Sequence, residues 1–349
     1  MKCKISIAMC TYNGCKFLQE QLDSISSQTR LPDELIVCDD GSSDSTLSIL
    51  KDFSDSAKFP VRIRCNSSRL GISKNFEQAI SLARGNLIAL CDQDDIWRHD
   101  KLEILVQQLC EKPEVGYVFT DAIVINELGE TIHESLWKEV VFDRQQYAIF
   151  SRGPVGQLRV LFRGNKVTGA TMAFRAMLKA ISLPIPELWA HDAWIAFASS
   201  INGIRGLAIH EPLIYYRRHH GQAAGIEHPE NLNLLRRAWN SFRGIPRAYE
   251  SQSLELREWS KSLAFLENRS GPPPLLADLL VEKVNHTALR LRLYRLPRKT
   301  RLAAIANELI HGRYHFYSAG WKSAVKDLLF PPISALCADE PCYSCRNLQ

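Results

Sequence analysis

From Ile5 to Leu109 the chain repeats one pattern: a short apolar run, then a stretch whose apolar residues recur on one helical face. Ile5-Ser6-Ile7-Ala8-Met9-Cys10, Leu35-Ile36-Val37-Cys38 and Leu87-Ile88-Ala89-Leu90 have the length and density of buried strands, and Val61-Arg62-Ile63-Arg64 alternates as an edge strand does. The helical faces are Leu18/Leu22/Ile25, Leu47/Leu50/Phe53, Phe76/Ala79/Ile80/Ala83 and Leu102/Leu105/Val106/Leu109. Ser43 or Asp44 is placed to cap the second helix and Ser73 the third. A β-α-β-α-β-α-β order permits few folds. Each helix carries the chain back across the sheet, so the strands run mostly parallel and helices cover both faces, a Rossmann-like α/β arrangement. Ligands of such sheets bind outside the carboxyl ends of the strands.

Those ends are polar here. Cys10-Thr11-Tyr12-Asn13, Asp39-Asp40-Gly41-Ser42 and Cys91-Asp92-Gln93-Asp94-Asp95-Ile96-Trp97 each follow an apolar run. The last places three carboxylates in four positions. Carboxylates crowded at the end of a buried strand repel one another and lose hydration unless a cation sits among them. Oxygen ligands with room for phosphate suit Mg²⁺ or Mn²⁺. The glycine fingerprints G-x-G-x-x-G and G-x-x-x-x-G-K-[ST] are absent from the sequence, which argues against a dinucleotide fold or a P-loop.

Beyond Val115 the pattern changes. Val115 to Phe119 and Ala122 to Ile125 read as two strands, and the polar stretch to about Asn165 as a loop region or inserted helices. Val167 to Phe174 is followed by Leu188-Trp189-Ala190-His191-Asp192-Ala193-Trp194 and a helix through Ala198. Residues from about 226 onward read as helical, broken at Gly271-Pro272-Pro273-Pro274. The expected organisation is a domain over 1–225, a helical region over 226–336 and a Cys-containing tail over 337–349. With 46% hydrophobic and 23% charged residues in 349, the chain is ordinary globular material. The net charge of +5 is too small to mark a nucleic-acid binder. No apolar run reaches the roughly 18–20 residues of a membrane span, and Met1-Lys2-Cys3-Lys4 leads into a strand without a signal-peptide core, so a cytoplasmic protein is expected. In that compartment Cys10, Cys38, Cys65 and Cys91 read as small buried hydrophobes, and Cys337, Cys342 and Cys345 lack a fourth ligand for zinc.

Three motifs in order then carry a resemblance. Ser6-Ile7-Ala8-Met9-Cys10-Thr11-Tyr12-Asn13-Gly14, Asp39-Asp40-Gly41-Ser42-Ser43-Asp44-Ser45-Thr46 and Asp92-Gln93-Asp94-Asp95-Ile96-Trp97 resemble the family 2 glycosyltransferases of GT-A fold. The acidic run, His191-Asp192-Ala193-Trp194 and Tyr216-Arg217-Arg218-His219-His220-Gly221 look most like bacterial rhamnosyltransferase-type members. The likeness spans residues 4 to about 225 and continues weakly to Arg313-Tyr314 and Gly320-Trp321-Lys322-Ser323. It implies a GT-A domain followed by a helical region, with Thr11 and Tyr12 lining a base pocket and Asp40 accepting the imide N–H of uracil or thymine. Asp92 would meet the ribose or help hold the metal, Asp94 would ligate Mg²⁺ or Mn²⁺, and Asp192 would be the general base of an inverting transfer. Trp97 belongs to the subgroup signature on the acceptor side. Gly169 would let an acceptor sugar approach the backbone. Arg217, His219 and His220 would sit on a loop closing over the donor, with a histidine on the metal or the diphosphate, or simply solvated. His191, where many relatives carry Glu, is open to three roles: bonding Asp192, holding a phosphate, or packing.

The activity so implied moves a sugar from a nucleotide-sugar donor to a saccharide or lipid-linked saccharide, as in bacterial surface polysaccharides such as O-antigen. The donor is dTDP-rhamnose, or a UDP-hexose or UDP-N-acetylhexosamine. The alternative of another class is a catalytically silent nucleotide-sugar-binding module. Between 284 and 326, Arg290, Arg292, Arg295, Arg298, Lys299, Arg301, Arg313, Lys322 and Lys326 face one acid in the basic stretch, Glu308, among leucines and aromatics. That composition suits either peripheral contact with an anionic membrane or a bundle with a solvated basic face, and it accompanies no nucleic-acid-binding module.

Overall fold

A computed structural model describes residues 3–222, 245–267 and 272–329. The chain divides into two compact units, residues 1–225 and 226–349. In the first, strands β1 (Ile5–Thr11), β2 (Glu34–Asp39), β3 (Val61–Cys65), β4 (Leu87–Cys91), β5 (Ile96–Trp97), β6 (Val115–Ile125), β7 (Thr131–His133), β8 (Ala173–Arg175) and β9 (Arg205–Arg217) form one sheet. Its order is β3-β2-β1-β4-β8-β6-β9-β5, with β7 added to β6. The first four strands are mutually parallel; β8 joins β4 and β6 antiparallel, and β9 returns parallel to β6. This is the GT-A arrangement, a Rossmann-like α/β sheet covered by helices and followed by a helical region.

Strands β2 and β4 are buried at every residue and β1 at all but Cys10, which is why they read as continuous apolar runs. One face packs on Leu18, Leu22 and Ile25 of helix Leu18–Ser26, Leu50 and Phe53 of helix Thr46–Ser56, and Leu102, Leu105, Val106 and Leu109 of helix Lys101–Glu111. The other meets helix Ile72–Leu82, whose Asn75 Nδ2 donates to the Cys38 carbonyl at 2.7 Å. Each such large aliphatic side chain contributes about 1.5–3 kcal/mol by leaving water. Register holds the carboxyl ends level: Thr11 pairs with Asp39, Met9 with Cys91 and Asp39 with Cys65.

Several local expectations are corrected. Leu47 is 36% exposed, because Leu50 and Phe53 alone fill that helix's inward face. Helix Ile72–Leu82 starts at Gly71 rather than Ser73, whose hydroxyl donates to the Trp189 carbonyl at 2.9 Å. The two strands expected between Val115 and Ile125 are one. The polar Thr120-Asp121 step is a register shift against β9, and buried Asp121 accepts bonds from Ala122 N, Trp137 N and Ser135 Oγ. Cys65 is exposed at the sheet edge, whereas Cys38 and Cys91 are buried. The polar stretch before Asn165 folds as helices Leu136–Glu139, Arg144–Phe150 and Pro154–Leu161.

The described part of the second unit is helical: Ile245–Glu267, Pro274–Leu293, Arg298–Ile310, Arg313–Tyr317 and Trp321–Leu329. Leu293, Ile305, Tyr314 and Ala324 form a small core. Around it lie a buried ion pair, Arg290 with Asp327 at 2.7 Å, and a buried hydrogen bond between His286 Nδ1 and Glu308 at 2.6 Å. Residues 226–244 and the Cys337/Cys342/Cys345 tail lie outside the described residues. Among the described residues, no helix is long and apolar enough to cross a membrane.

Candidate active site

The level strand ends bring together three sets of side chains. At the end of β2, Asp40 is buried and fixed by the loop ahead of helix Ile72–Leu82. Its Oδ1 accepts from Asn66 Nδ2 at 2.9 Å and Leu70 N at 2.7 Å, and its Oδ2 from Gly71 N at 2.9 Å. A carboxylate accepts about four bonds, so one position remains for an N–H donor from outside. Tyr12 follows β1 with its ring beneath the Arg69 guanidinium, 3.9 Å from the ring centre. Thr11 does not line a pocket. It is buried and donates its hydroxyl to Asp39 Oδ2 at 2.8 Å, while Asp39 Oδ1 accepts from Ser42 N at 2.8 Å. Asp39 thus shapes the turn, and Asp40 anchors the loop ahead of helix Ile72–Leu82.

Gln93, not singled out by the sequence, ties the first set to the second. Its Oε1 accepts from Tyr12 N at 2.8 Å and its Nε2 donates to Tyr12 O at 3.1 Å. Gly14 leaves room for this amide, since a Cβ there would stand 2.2 Å from Gln93 Oε1.

In the acidic loop, burial, with Asp94 and Asp192 beside it, pushes the Asp92 carboxyl up to about 7. Burial pushes Asp95 well above the carboxylate range, helped by Asp94 and Asp92. Asp94 Oδ2 lies 2.8 Å from His219 Nε2, and Gly221 N donates to His219 Nδ1 at 3.2 Å. An Nδ1 that accepts a bond puts the ring proton on Nε2, so His219 donates to Asp94. In this structure His219 thus orients the Asp94 carboxylate. Lys101 is another contributor that sequence reasoning missed. Buried completely, it donates to the Ala170 carbonyl at 2.6 Å, lies 3.6 Å from the Trp97 ring centre, and is lowered by burial to about 7.

Two expected site residues are structural. Trp97 is 2% exposed on β5 and packs beneath Lys101. Arg217 is the last residue of β9, not part of a closing loop, and is 1% exposed. Its backbone N donates to Asp95 Oδ1 at 2.9 Å and its Nε to the Asp94 carbonyl at 2.9 Å, with Glu20 on its outer nitrogen at 2.5 Å. It clamps the backbone of the acidic loop. His219 and His220 lie in the turn after it, and His220 is exposed.

The third set comes from helix His191–Ile201. Asp192 Oδ2 accepts from Gly169 N at 2.8 Å, and Oδ1 from Asn165 Nδ2 at 3.2 Å and Ala193 N at 2.6 Å. It stands in the first turn of that helix. Of the three roles open to His191, packing is the one observed. Its ring stacks on Phe76 with centroids 3.8 Å apart, neither ring nitrogen has a hydrogen-bond partner, and burial lowers its pKa. Packing already requires Gly169 to be small: a Cβ would stand 2.7 Å from His191 Nε2 and 3.4 Å from Asp192 Oδ2.

Among the described residues no three His, Cys, Asp or Glu side chains are gathered to hold a metal unaided. Asp92 and Asp94 nonetheless fit a divalent cation, because burial first and then the charges of Asp94 and Asp192 penalise a bare Asp92 carboxylate, and a cation would offset that penalty. One or two carboxylates, with phosphate oxygens completing the shell, is how Mg²⁺ is commonly held.

Residues 6–181 match the family model described as glycosyl transferase family 2. Among curated relatives, the chain is 33% identical over 122 residues to the UDP-Glc:alpha-D-GlcNAc-diphosphoundecaprenol beta-1,3-glucosyltransferase WfgD of Escherichia coli, covering 35% of this chain and 47% of WfgD. It is 33% identical over 122 residues to the abequosyltransferase RfbV of Salmonella typhimurium, covering 32% of this chain and 37% of RfbV. The chain thus spans less than half the length of the curated relatives it matches. The fold is shared with S. aureus TarS in complex with UDP-GlcNAc, at TM-score 0.54, 16% identity and coverage of 93% of this chain and 89% of that one. It is shared also with the mannosyltransferase PcManGT of Pyrobaculum calidifontis in complex with GDP-Man and Mn²⁺, at TM-score 0.52, 18% identity and coverage of 97% and 89%. The relatives named include glucosyl and abequosyl transferases, so the rhamnosyltransferase likeness is carried no further than the family.

Proposed function

We propose a specific reaction for this chain, which belongs to glycosyl transferase family 2: transfer of a sugar, with inversion, from a nucleoside diphosphate sugar to a hydroxyl of a saccharide or lipid-linked saccharide, in the making of a bacterial surface polysaccharide. The observation that carries this reading is electrostatic. Asp92 and Asp94 in the acidic loop and Asp192 on helix His191–Ile201 lie near enough that burial, and then the charges of Asp94 and Asp192, raise Asp92 to about 7. A site that concentrates negative charge in this way suits a cation with a diphosphate beside a base.

In this reading Asp40 accepts the imide N–H of a uracil or thymine and the Tyr12 ring lies against the base. Asp92 and Asp94 hold Mg²⁺ or Mn²⁺, which when bound offsets the charge on the departing diphosphate. Asp192 takes the proton of the acceptor hydroxyl as its oxygen attacks the anomeric carbon from the face opposite the leaving group. The Gly169 N–H keeps that carboxylate aimed. The imide contact is common to dTDP and UDP, so dTDP-rhamnose, UDP-hexoses and UDP-N-acetylhexosamines all suit the base pocket. The silent-module alternative has no use for a positioned Asp192.

A thermal-shift panel of UDP- and dTDP-sugars with Mn²⁺ or Mg²⁺ tests the reading. A donor at 100 times its Kd adds about 2.7 kcal/mol of stability. Absence of any shift with uracil or thymine nucleotides would refute it.

A further inference from the structure

In the second unit, helices Arg298–Ile310 and Trp321–Leu329 share a core through Ile305, Leu309, Ala324 and Leu328. Both of their carboxylates are turned inward: Glu308 is buried against His286 and Arg313, and Asp327 against Arg290 and the Tyr314 hydroxyl. Arg290 and Arg301, counted in the basic stretch of the sequence, are buried as well. The exposed charges left on these two helices are Arg298, Lys299, Lys322 and Lys326, all positive.

Large apolar side chains stand among them. Ile310 is 82% exposed, Trp321 63%, Leu302 57%, Leu329 57% and Val325 49%. Trp321, Val325 and Leu329 recur every fourth residue, one stripe along the helix, with Lys322 and Lys326 beside it. The core uses none of the three; it takes Ala324 and Leu328 instead. Lysines bury their stems along an apolar surface while keeping the ammonium at phosphate level, and tryptophan favours the boundary between headgroup and acyl chain.

We infer that this surface seats on an anionic lipid bilayer. Trp321, Val325 and Leu329 enter the headgroup–acyl boundary, and Lys322 and Lys326, with Arg298 and Lys299, face the lipid phosphates. The complementarity is one-signed: with both carboxylates withdrawn into ion pairs, nothing exposed on these helices repels an anionic surface. The inference stands apart from the reaction proposed above.

Sedimentation of the full chain with vesicles tests it. The protein should pellet with mixed phosphatidylglycerol–phosphatidylcholine vesicles, release in high salt, and stay in solution with phosphatidylcholine alone. Trp321→Ser with Val325→Ser should weaken partition roughly tenfold, and so should Lys322→Glu with Lys299→Glu. These positions are exposed, so helicity by circular dichroism and transfer to a soluble acceptor should not change. Failure to pellet with anionic vesicles overturns the inference, as does pelleting that neither pair of substitutions alters. Pelleting that appears only after residues 330–349 are removed overturns it too, since the chain's own tail would then occupy the surface.

Discussion

His219 Nε2 lies 2.8 Å from Asp94 Oδ2, while Gly221 N holds the other ring nitrogen at 3.2 Å. The imidazole is thereby a donor to the carboxylate and fixes its direction. Removing such a support commonly costs about 10–100-fold in metal affinity or activity. His219→Ala should therefore need roughly 10–100 times more Mn²⁺ for half-maximal turnover, with donor binding in the presence of saturating metal unchanged. Equal Mn²⁺ titrations for both proteins would reduce His219 to packing on Phe17, whose ring centre is 4.9 Å away.

Asp192→Asn keeps the size of the side chain and the bond from Gly169 N, but removes the base. Transfer should fall by about 10²–10⁴ in kcat. The nucleotide-sugar thermal shift should persist, because no nucleotide contact is lost. Undiminished turnover in a folded variant would exclude Asp192 as the proton acceptor.

His191 and Gly169 answer different questions. Since both imidazole nitrogens are buried without partners, His191→Phe should hold or raise the melting temperature and leave donor affinity intact. A donor affinity weakened tenfold would instead reveal a phosphate contact. Gly169→Ala inserts a Cβ 2.7 Å from His191 Nε2 and should cost about 1–3 kcal/mol of stability along with turnover. The double variant with a smaller residue at 191 should recover part of both.

Lys101 sets a pH dependence. Burial lowers its folded pKa to about 7, against an ordinary value near 10.4 in the unfolded chain. Between those values the unfolded state holds the extra proton, so stability rises with pH across that window, by at most about 1.4 kcal/mol per pH unit. Below pH 7 the folded protein carries the buried charge and the cost is complete. Comparing denaturation of wild type and Lys101→Met from pH 7 to 9 should show the rise only in the wild type. Parallel curves would mean that nearby carboxylates absorb the effect.

Much of this was legible in the residues because it is local. An apolar run buried on both faces must end somewhere, and the polar groups at its end, Tyr12, Asp40, Asp92 and Asp94, mark the cleft without knowledge of any contact. What sequence hid was exchange between distant positions. Thr11 looks like a pocket residue until Asp39 takes its hydroxyl. Arg217 looks like a ligand-binding arginine until Glu20 and the carbonyls of Asp94, Asn126 and Glu127 are seen to take up its guanidinium. Gln93 and Lys101 carry no periodic signal at all, since one bonds backbone atoms 81 positions away and the other a carbonyl 69 positions away. The basic stretch was legible only in part, because a count of arginines does not say which of them, such as Arg290 and Arg301, are buried.

The clamp at Arg217 also orders events during synthesis. Asp94 and Asp95 leave the ribosome more than a hundred residues before the strand that fixes them, at separations of 123 and 122 positions. The parallel strands β1 to β4 need only their own local crossovers to close. The acidic loop is tied early through Gln93 to Tyr12, but Asp94 and Asp95 gain their Arg217 clamp only when β9 pairs with β6, a long-range closure that is intrinsically slow. A chain stalled or truncated before residue 217 should thus hold its first strands and helices while Asp94 and Asp95 lack the clamp that fixes them. The metal-facing corner of the site is completed as one late step, not gradually along the nascent chain.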